Sequence, residues 1–324
     1  MYSYLASAMD GTTVLIIGAI CTFLLTAGML KIRFGFLPHD QGRAYAVNGE
    51  LSKGKIRGVG LIFIMTFVIS CALFLPYPSG DAKGSIELVG YGVLLLLAML
   101  SGYLDDASNK PWSEYKKGLI DLFLSVCTSV LFVYVNGSSV QFFAVTLNMP
   151  AWLYVILGTI LIWASINVTN CTDGVDGLLG SVSCVTIASM AVLFSENLGL
   201  YANAALLMIA VLTAYLFFNT SPSSMLMGDA GSRAIGYFIA LLAMKSGHPF
   251  AWLLLAIVMI LDGGLGLIKI SLKRFLKIWI LKNTRTPLHD HCRKNLGWSD
   301  TQVVVRFSLL QLLACALAAL ILSI

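Results

Sequence analysis

The chain has 324 residues, 58% of them hydrophobic and 11% charged, with 21 Lys and Arg against 16 Asp and Glu and a net charge of +5. A soluble domain carries about 25% charged residues. A mean hydropathy of +0.86 therefore excludes a soluble globule, a disordered chain and a nucleic-acid-binding module, and leaves a polytopic protein of the lipid bilayer.

A membrane span takes about 20 mostly apolar residues. In chain order, ten such runs are predicted at 13–31, 58–76, 87–104, 118–136, 150–168, 174–194, 199–218, 230–246, 249–272 and 302–323. All are predicted helical, because a segment in lipid must satisfy its own backbone hydrogen bonds. The expected fold class is an all-α polytopic membrane protein forming one transmembrane domain over residues 1–324. The stretch 137–149 alternates enough for a small hairpin on the outer side. Asp262 inside the ninth run, beside Gly263, Gly264 and Gly266, predicts a break or bend, with a structural contact and a substrate role both open. The seven Cys include no CxxC pair and read as small buried hydrophobes. The first run lacks the basic flank of a cleavable signal.

Positive charge is sorted by connection. The first holds Lys31, Arg33, Arg43, Lys53, Lys55 and Arg57, and the third Lys110, Lys116 and Lys117. The ninth holds Lys269, Lys273, Arg274, Lys277, Lys282, Arg285, Arg293 and Lys294. The even connections hold only Lys83 and Lys245. The positive-inside rule makes the odd connections cytoplasmic and puts both termini outside.

Five acids gather at the cytoplasmic ends of the runs: Asp105 and Asp106 after the third, Asp173 and Asp176 between the fifth and sixth, and Asp229 at the start of the eighth. Asp176 and Asp229 have a plain alternative reading as helix caps. Against it, the connections that carry Asp173, Asp176 and Asp229 hold no Lys or Arg. Carboxylates that converge without neighbouring cations point to a bound cation, and hard oxygen ligands to Mg²⁺. Flanking glycines allow close approach to a ligand, and helix N-termini attract phosphate. Acids holding Mg²⁺ beside basic side chains are the requirements of phosphoryl transfer.

The motifs that carry these acids are Leu104-Asp105-Asp106, Lys117-Gly118-Leu119-Ile120, Asn167 to Leu178, Phe218-Asn219-Thr220-Ser221-Pro222 and Met227-Gly228-Asp229-Ala230-Gly231-Ser232. Thr286-Pro287-Leu288-His289-Asp290-His291, Gly297-Trp298 and Val304-Val305-Arg306-Phe307 follow. In this order and spacing the chain resembles the polyprenyl-phosphate N-acetylhexosamine-1-phosphate transferases, and among them the phospho-N-acetylmuramoyl-pentapeptide branch. The resemblance implies that undecaprenyl phosphate attacks the β-phosphate of UDP-N-acetylmuramoyl-pentapeptide, with Mg²⁺, to give lipid I and UMP. It implies a multi-pass enzyme of the bacterial cytoplasmic membrane with its active site facing the cytoplasm, often as a homodimer.

Carried over by position, the resemblance makes Asp229 the Mg²⁺ ligand and Asp105 and Asp106 the pair that handles the lipid phosphate. Asp173 and Asn170 fall in the nucleotide and metal region, with Asp176 as a supporting carboxylate. Lys117 stands near the phosphates, and His289 and His291 near the diphosphate and sugar. Leu226 stands where the family often has a phenylalanine expected to stack on uracil. Asp290 replaces the middle of three consecutive histidines. The segment Gly54-Lys55-Ile56-Arg57-Gly58-Val59-Gly60 replaces a threonine-proline-threonine-methionine-glycine-glycine run, and there only Lys55 carries a weak binding role. The competing expectations are the same chemistry on UDP-N-acetylglucosamine and, remotely, a transporter. A transporter would set its acids near the bilayer midplane.

Overall fold

The computed structural model describes residues 1–42, 52–78, 80–108, 110–142 and 145–322. Arg43, one of the first connection's cations, lies outside the described residues, as do residues 143 and 144 of the expected hairpin. A short helix α1 (Tyr2–Ala6) precedes α2 (Gly11–Lys31), α3 (Gly60–Phe74), α4 (Ala82–Asp106) and α5 (Glu114–Asn136). Strands β1 (Ser139–Phe142) and β2 (Val145–Asn148) pair antiparallel, so the expected hairpin forms. Then come α6 (Ala151–Thr172), α7 (Leu178–Leu193), the single turn α8 (Ser195–Leu198), α9 (Leu200–Asn219) and α10 (Gly228–Lys245). A bent pair, Pro249–Leu255 and Ile257–Leu276, leads to a tail helix, Leu288–Asn295, and a last helix, Asp300–Leu322.

Each of the ten expected runs is helical, but they are not equal. Among the described residues, six helices are long and apolar enough to cross a bilayer, or seven if the bent pair is one span. The other two apolar helices, α3 and α7, have 15 and 16 residues. At 1.5 Å per residue these reach about 23 Å, short of a hydrocarbon core of about 30 Å. The ninth run is bent, but not at Asp262: its two arms meet at 69° across Ala256, while Asp262 lies in a π-helical stretch, Ile260–Gly264, of the second arm.

The centre of the bundle is α10, in which every residue from Gly228 to Met244 is buried. It packs against α3, α4, α6 and α7. A helix walled by other helices can carry Asp229 and Arg233 without exposing them to lipid, which is why α10 is absent from the six most apolar spans. Glycines let the backbones approach. A Cβ on Gly60 of α3 would strike the backbone of Gly231, and one on Gly102 of α4 would strike the backbone of Asp229. One on Gly236 would overlap Thr169 of α6. Small-residue contacts of this kind drive helix association in membranes, where lipid is as apolar as leucine.

Candidate active site

The site forms where the first connection lies along the segment before α10. Leu226 N donates to Ile56 O (2.8 Å), Val59 N to Leu226 O (3.3 Å) and Gly60 N to Met227 O (3.1 Å). This short parallel pairing carries Lys55 and Arg57 across the start of α10. A second tie comes from Asn219, which accepts from Gly177 N (2.8 Å) and donates to Met225 O (2.9 Å). It joins the Asp173–Asp176 turn to the same segment. Gly177 takes φ +85°, a left-handed conformation that glycine adopts at no steric cost.

Asp105, Asp106 and Asp229 then meet two cations from other parts of the chain. Lys117 Nζ lies between Asp105 Oδ2 and Asp229 Oδ2, 3.1 Å from the latter. Arg57 Nε lies 2.8 Å from Asp106 Oδ1, and one terminal nitrogen lies 3.3 Å from Asp229 Oδ1. Trp112 N donates to Asp105 Oδ1 (2.7 Å) and Ala230 N to Asp106 Oδ2 (3.2 Å). Burial pulls the Arg57 guanidinium down, but Asp106, Asp229, Asp40 and Asp173 together hold it above its ordinary value. Neither aspartate tested as a cap is one. The first residue before α10 is Met227, without a side-chain cap, and Asp176 Oδ2 accepts from Ser223 N (3.0 Å) and Lys55 Nζ (3.3 Å).

These pairs correct one expectation. Asp176 and Asp229 lack cations only in their own connections; in the fold, Lys55, Arg57 and Lys117 reach them from the first and third. Arg57 is the site residue that the motif comparison passed over. Its only sequence signal is its place in the glycine-rich segment, two residues from Lys55.

Beside this cluster opens a cavity of about 420 Å³ whose wall includes Lys55, Arg57, Asp173, Asp176, Leu226 and His289. Asp105, Asp106, Lys117 and Asp229 are not on its wall; Arg57, which is, bonds Asp106 and Asp229, and the Asp106 side chain is wholly buried. Asn170 is half-buried, is not on the wall, and donates to Ser232 Oγ (3.0 Å). His289, 3% exposed, is fixed by Asp262: His289 N donates to Asp262 Oδ1 (2.7 Å), and Nδ1 lies 2.9 Å from Oδ2. The structural reading of Asp262 is thus the one the contacts support. A carboxylate only accepts, so Nδ1 carries a proton, and the other ring nitrogen, Nε2, faces Gly174 on the cavity wall. His291 is not brought to the cavity; its Nδ1 accepts from Arg285 N (3.3 Å). Asp290 does line the cavity, 3.8 Å from Arg293.

Residues 88–247, which contain α5, α6 and α10 whole, match the model of glycosyl transferase family 4. A protein of Treponema pallidum (strain Nichols) is 38% identical over 311 residues, spanning 89% of this chain and 84% of its own length, and is named phospho-N-acetylmuramoyl-pentapeptide-transferase. The chain belongs to the phospho-N-acetylmuramoyl-pentapeptide-transferase family. Two further members carry the same name: one of Oceanobacillus iheyensis, 28% identical with 95% of this chain and 98% of its own length aligned, and one of Clostridium perfringens (strain 13), 27% identical with 89% and 90% aligned. The family alignment covers almost the whole chain, so both halves of the site fall within it: the acids of α4 and α10 and the His289 tail.

Proposed function

We propose that this chain transfers phospho-N-acetylmuramoyl-pentapeptide from its UDP nucleotide to undecaprenyl phosphate, giving lipid I and UMP, with Mg²⁺, at the cytoplasmic face of a bacterial membrane. An oxygen of the carrier phosphate forms the new bond to the β-phosphorus, and the bond from that phosphorus to the bridging oxygen breaks, releasing UMP. The observation that carries the reading is the meeting of Asp105, Asp106 and Asp229 with Lys117 and Arg57 beside a cavity, in a member of this family.

Among the described residues no group of three or more side chains is preformed to hold a metal ion, and Asp105, Asp106 and Asp229 are paired with Lys117 and Arg57. Carboxylate oxygens are the hard ligands that Mg²⁺ takes, so a cation bound here would take the place of one of these pairings. Asp229 is the proposed ligand, with Asp106 beside it. Bound there, Mg²⁺ would supply charge neutralisation on the diphosphate. Lys117 and Arg57 would orient phosphate oxygens, and Lys55 would approach the nucleotide side of the cavity, where Leu226 and Pro222 offer the apolar surface for the base. A phosphate monoester is largely ionised at pH 7, so Asp105 and Asp106 serve more by placing the attacking group than by taking a proton.

Three features support the orientation: the cations concentrate in the odd connections, the site is built from those same connections, and the hairpin lies in an even one. Ten crossings with both termini outside follow from that alternation. The reading is tested by UMP release from purified protein with undecaprenyl phosphate and Mg²⁺, offering UDP-N-acetylmuramoyl-pentapeptide or UDP-N-acetylglucosamine. Turnover of the pentapeptide nucleotide alone is expected. Turnover of UDP-N-acetylglucosamine alone would move the chain to the other substrate.

A further inference from the structure

We propose that Asp121 and Arg233, which stand outside the cavity and its charged cluster, are a positioning pair that holds Lys117 on Asp105 and Asp229. The proposal rests on the reading of that cluster as the transfer centre. Asp121 lies one turn after Lys117 on α5, and Arg233 one turn after Asp229 on α10. Both are 2% exposed, and they pair directly across the two helices. Arg233 also reaches Lys117 O (3.5 Å), and Asn167 of α6 approaches Asp121 Oδ2 (3.5 Å). Two guanidinium nitrogens of Arg233, Nε and Nη1, are buried without a hydrogen-bond partner.

Four charges thus stand at the corners of a square, alternating in sign. They can pair across the helices, Lys117 with Asp229 and Asp121 with Arg233, as observed. They can also pair along the helices, Lys117 with Asp121 and Asp229 with Arg233, since residues four apart share a helix face. The second pairing would draw the Lys117 ammonium off the site and cover Asp229 with a guanidinium. In water the difference is small, but in the buried, low-dielectric interior each pairing is strong. A buried ion pair is weak as a source of stability, because apolar residues of similar volume often do as well. What this pair supplies is exclusion: Arg233 occupies the buried carboxylate that competes for Lys117 from its own helix, and Asp121 keeps Arg233 from Asp229. Glu114, three residues before Lys117 on that helix, is exposed and paired with Arg274.

The test compares three variants with wild type by UMP release and by thermal unfolding. Arg233→Met leaves Asp121 free to take Lys117, and turnover is expected to fall about a hundredfold, as for a misplaced catalytic group. Asp121→Asn/Arg233→Met removes the competitor together with its guard, and most of the turnover is expected to return. The swap Asp121→Arg/Arg233→Asp keeps an ion pair between the same positions but puts like charges along each helix. With no carboxylate four residues after Lys117 on α5, Lys117 stays on Asp229, and the swap is expected to melt near wild type and to turn over far faster than the single variant.

A folded swap as inactive as Arg233→Met would overturn the proposal, because no carboxylate at position 121 then competes for Lys117. So would full turnover in Arg233→Met, or an inactive neutral pair that melts like wild type. Should Arg233→Met fail to fold, the two double variants still decide. A readout free of activity separates this proposal from the assigned reaction. The coupling of Lys117→Met with Asp229→Asn in thermal unfolding should be present in the wild-type background and absent in the Arg233→Met background, where Asp121 takes Lys117. Coupling without UMP release in wild type would count against the reaction alone; equal coupling in both backgrounds would sink the proposal.

Discussion

Replacing Asp262 by asparagine should slow the enzyme while leaving its shape unchanged. The Asp262 carboxylate is completely buried and holds His289 by two bonds, to the backbone N–H (2.7 Å) and to Nδ1 (2.9 Å). Asparagine has the same outline but offers one acceptor oxygen and one NH₂ donor. If its oxygen keeps the backbone N–H, its NH₂ faces Nδ1. Nδ1 must then give up its proton, so the hydrogen bond that orients the ring is reversed. If its oxygen keeps Nδ1–H instead, two donors meet at the backbone. Either way one bond to a charged group is lost, worth about 1.5–3 kcal/mol. Expressed in the barrier, that is roughly a 10- to 150-fold fall in kcat for UMP release. The assay is initial-rate UMP release at saturating donor and carrier, with thermal unfolding measured in parallel. Asp262→Asn turning over at the wild-type rate would refute the reasoning. So would a rate loss fully matched by loss of folded protein.

Other outcomes follow from the same contacts. Arg57→Lys offers one ammonium where the guanidinium fork reaches both Asp106 and Asp229, and should cost about 1.5–3 kcal/mol in transition-state stabilisation, read as kcat/KM. Gly102→Ala drives a methyl into the backbone of Asp229 and should destabilise by about 1–3 kcal/mol, seen as a lower melting temperature in detergent, with activity falling beyond what unfolding explains. Chelation of divalent ions should abolish UMP release, and added Mg²⁺ should restore it; activity that survives chelation would remove the metal from the account.

The sequence made the helices legible wherever they face lipid, because lipid leaves apolar runs as the only option. It was least informative about α10. That helix is the most buried, yet it carries Asp229 and Arg233 and reads as a span only by its spacing. The individual acids were legible from their motifs, and Asp105, Asp106, Asp229 and Lys117 do meet. Their partners were not legible. The Arg57–Asp229 pair joins residues 172 apart, and nothing local in the glycine-rich segment marks Arg57 as its cation. A charge among glycines marked Asp262 as a break, but the bend falls at Ala256, which carries no such signal. The bond from Asp262 to His289 was not legible either, since it depends on where the tail helix docks. His291 shares a motif with His289, but two positions along a helix turn it toward another face, where it meets Arg285 N instead of the cavity.

The most direct test of the central claim is the rate of UMP release from UDP-N-acetylmuramoyl-pentapeptide by Asp229→Asn, beside wild type, across a Mg²⁺ titration. The substitution keeps the volume at the start of α10 and removes the charge that Lys117 and Arg57 share. Wild type should show Mg²⁺-dependent turnover, and folded Asp229→Asn should show none at any Mg²⁺ concentration. Wild-type turnover in folded Asp229→Asn would contradict the account and place the transfer chemistry elsewhere.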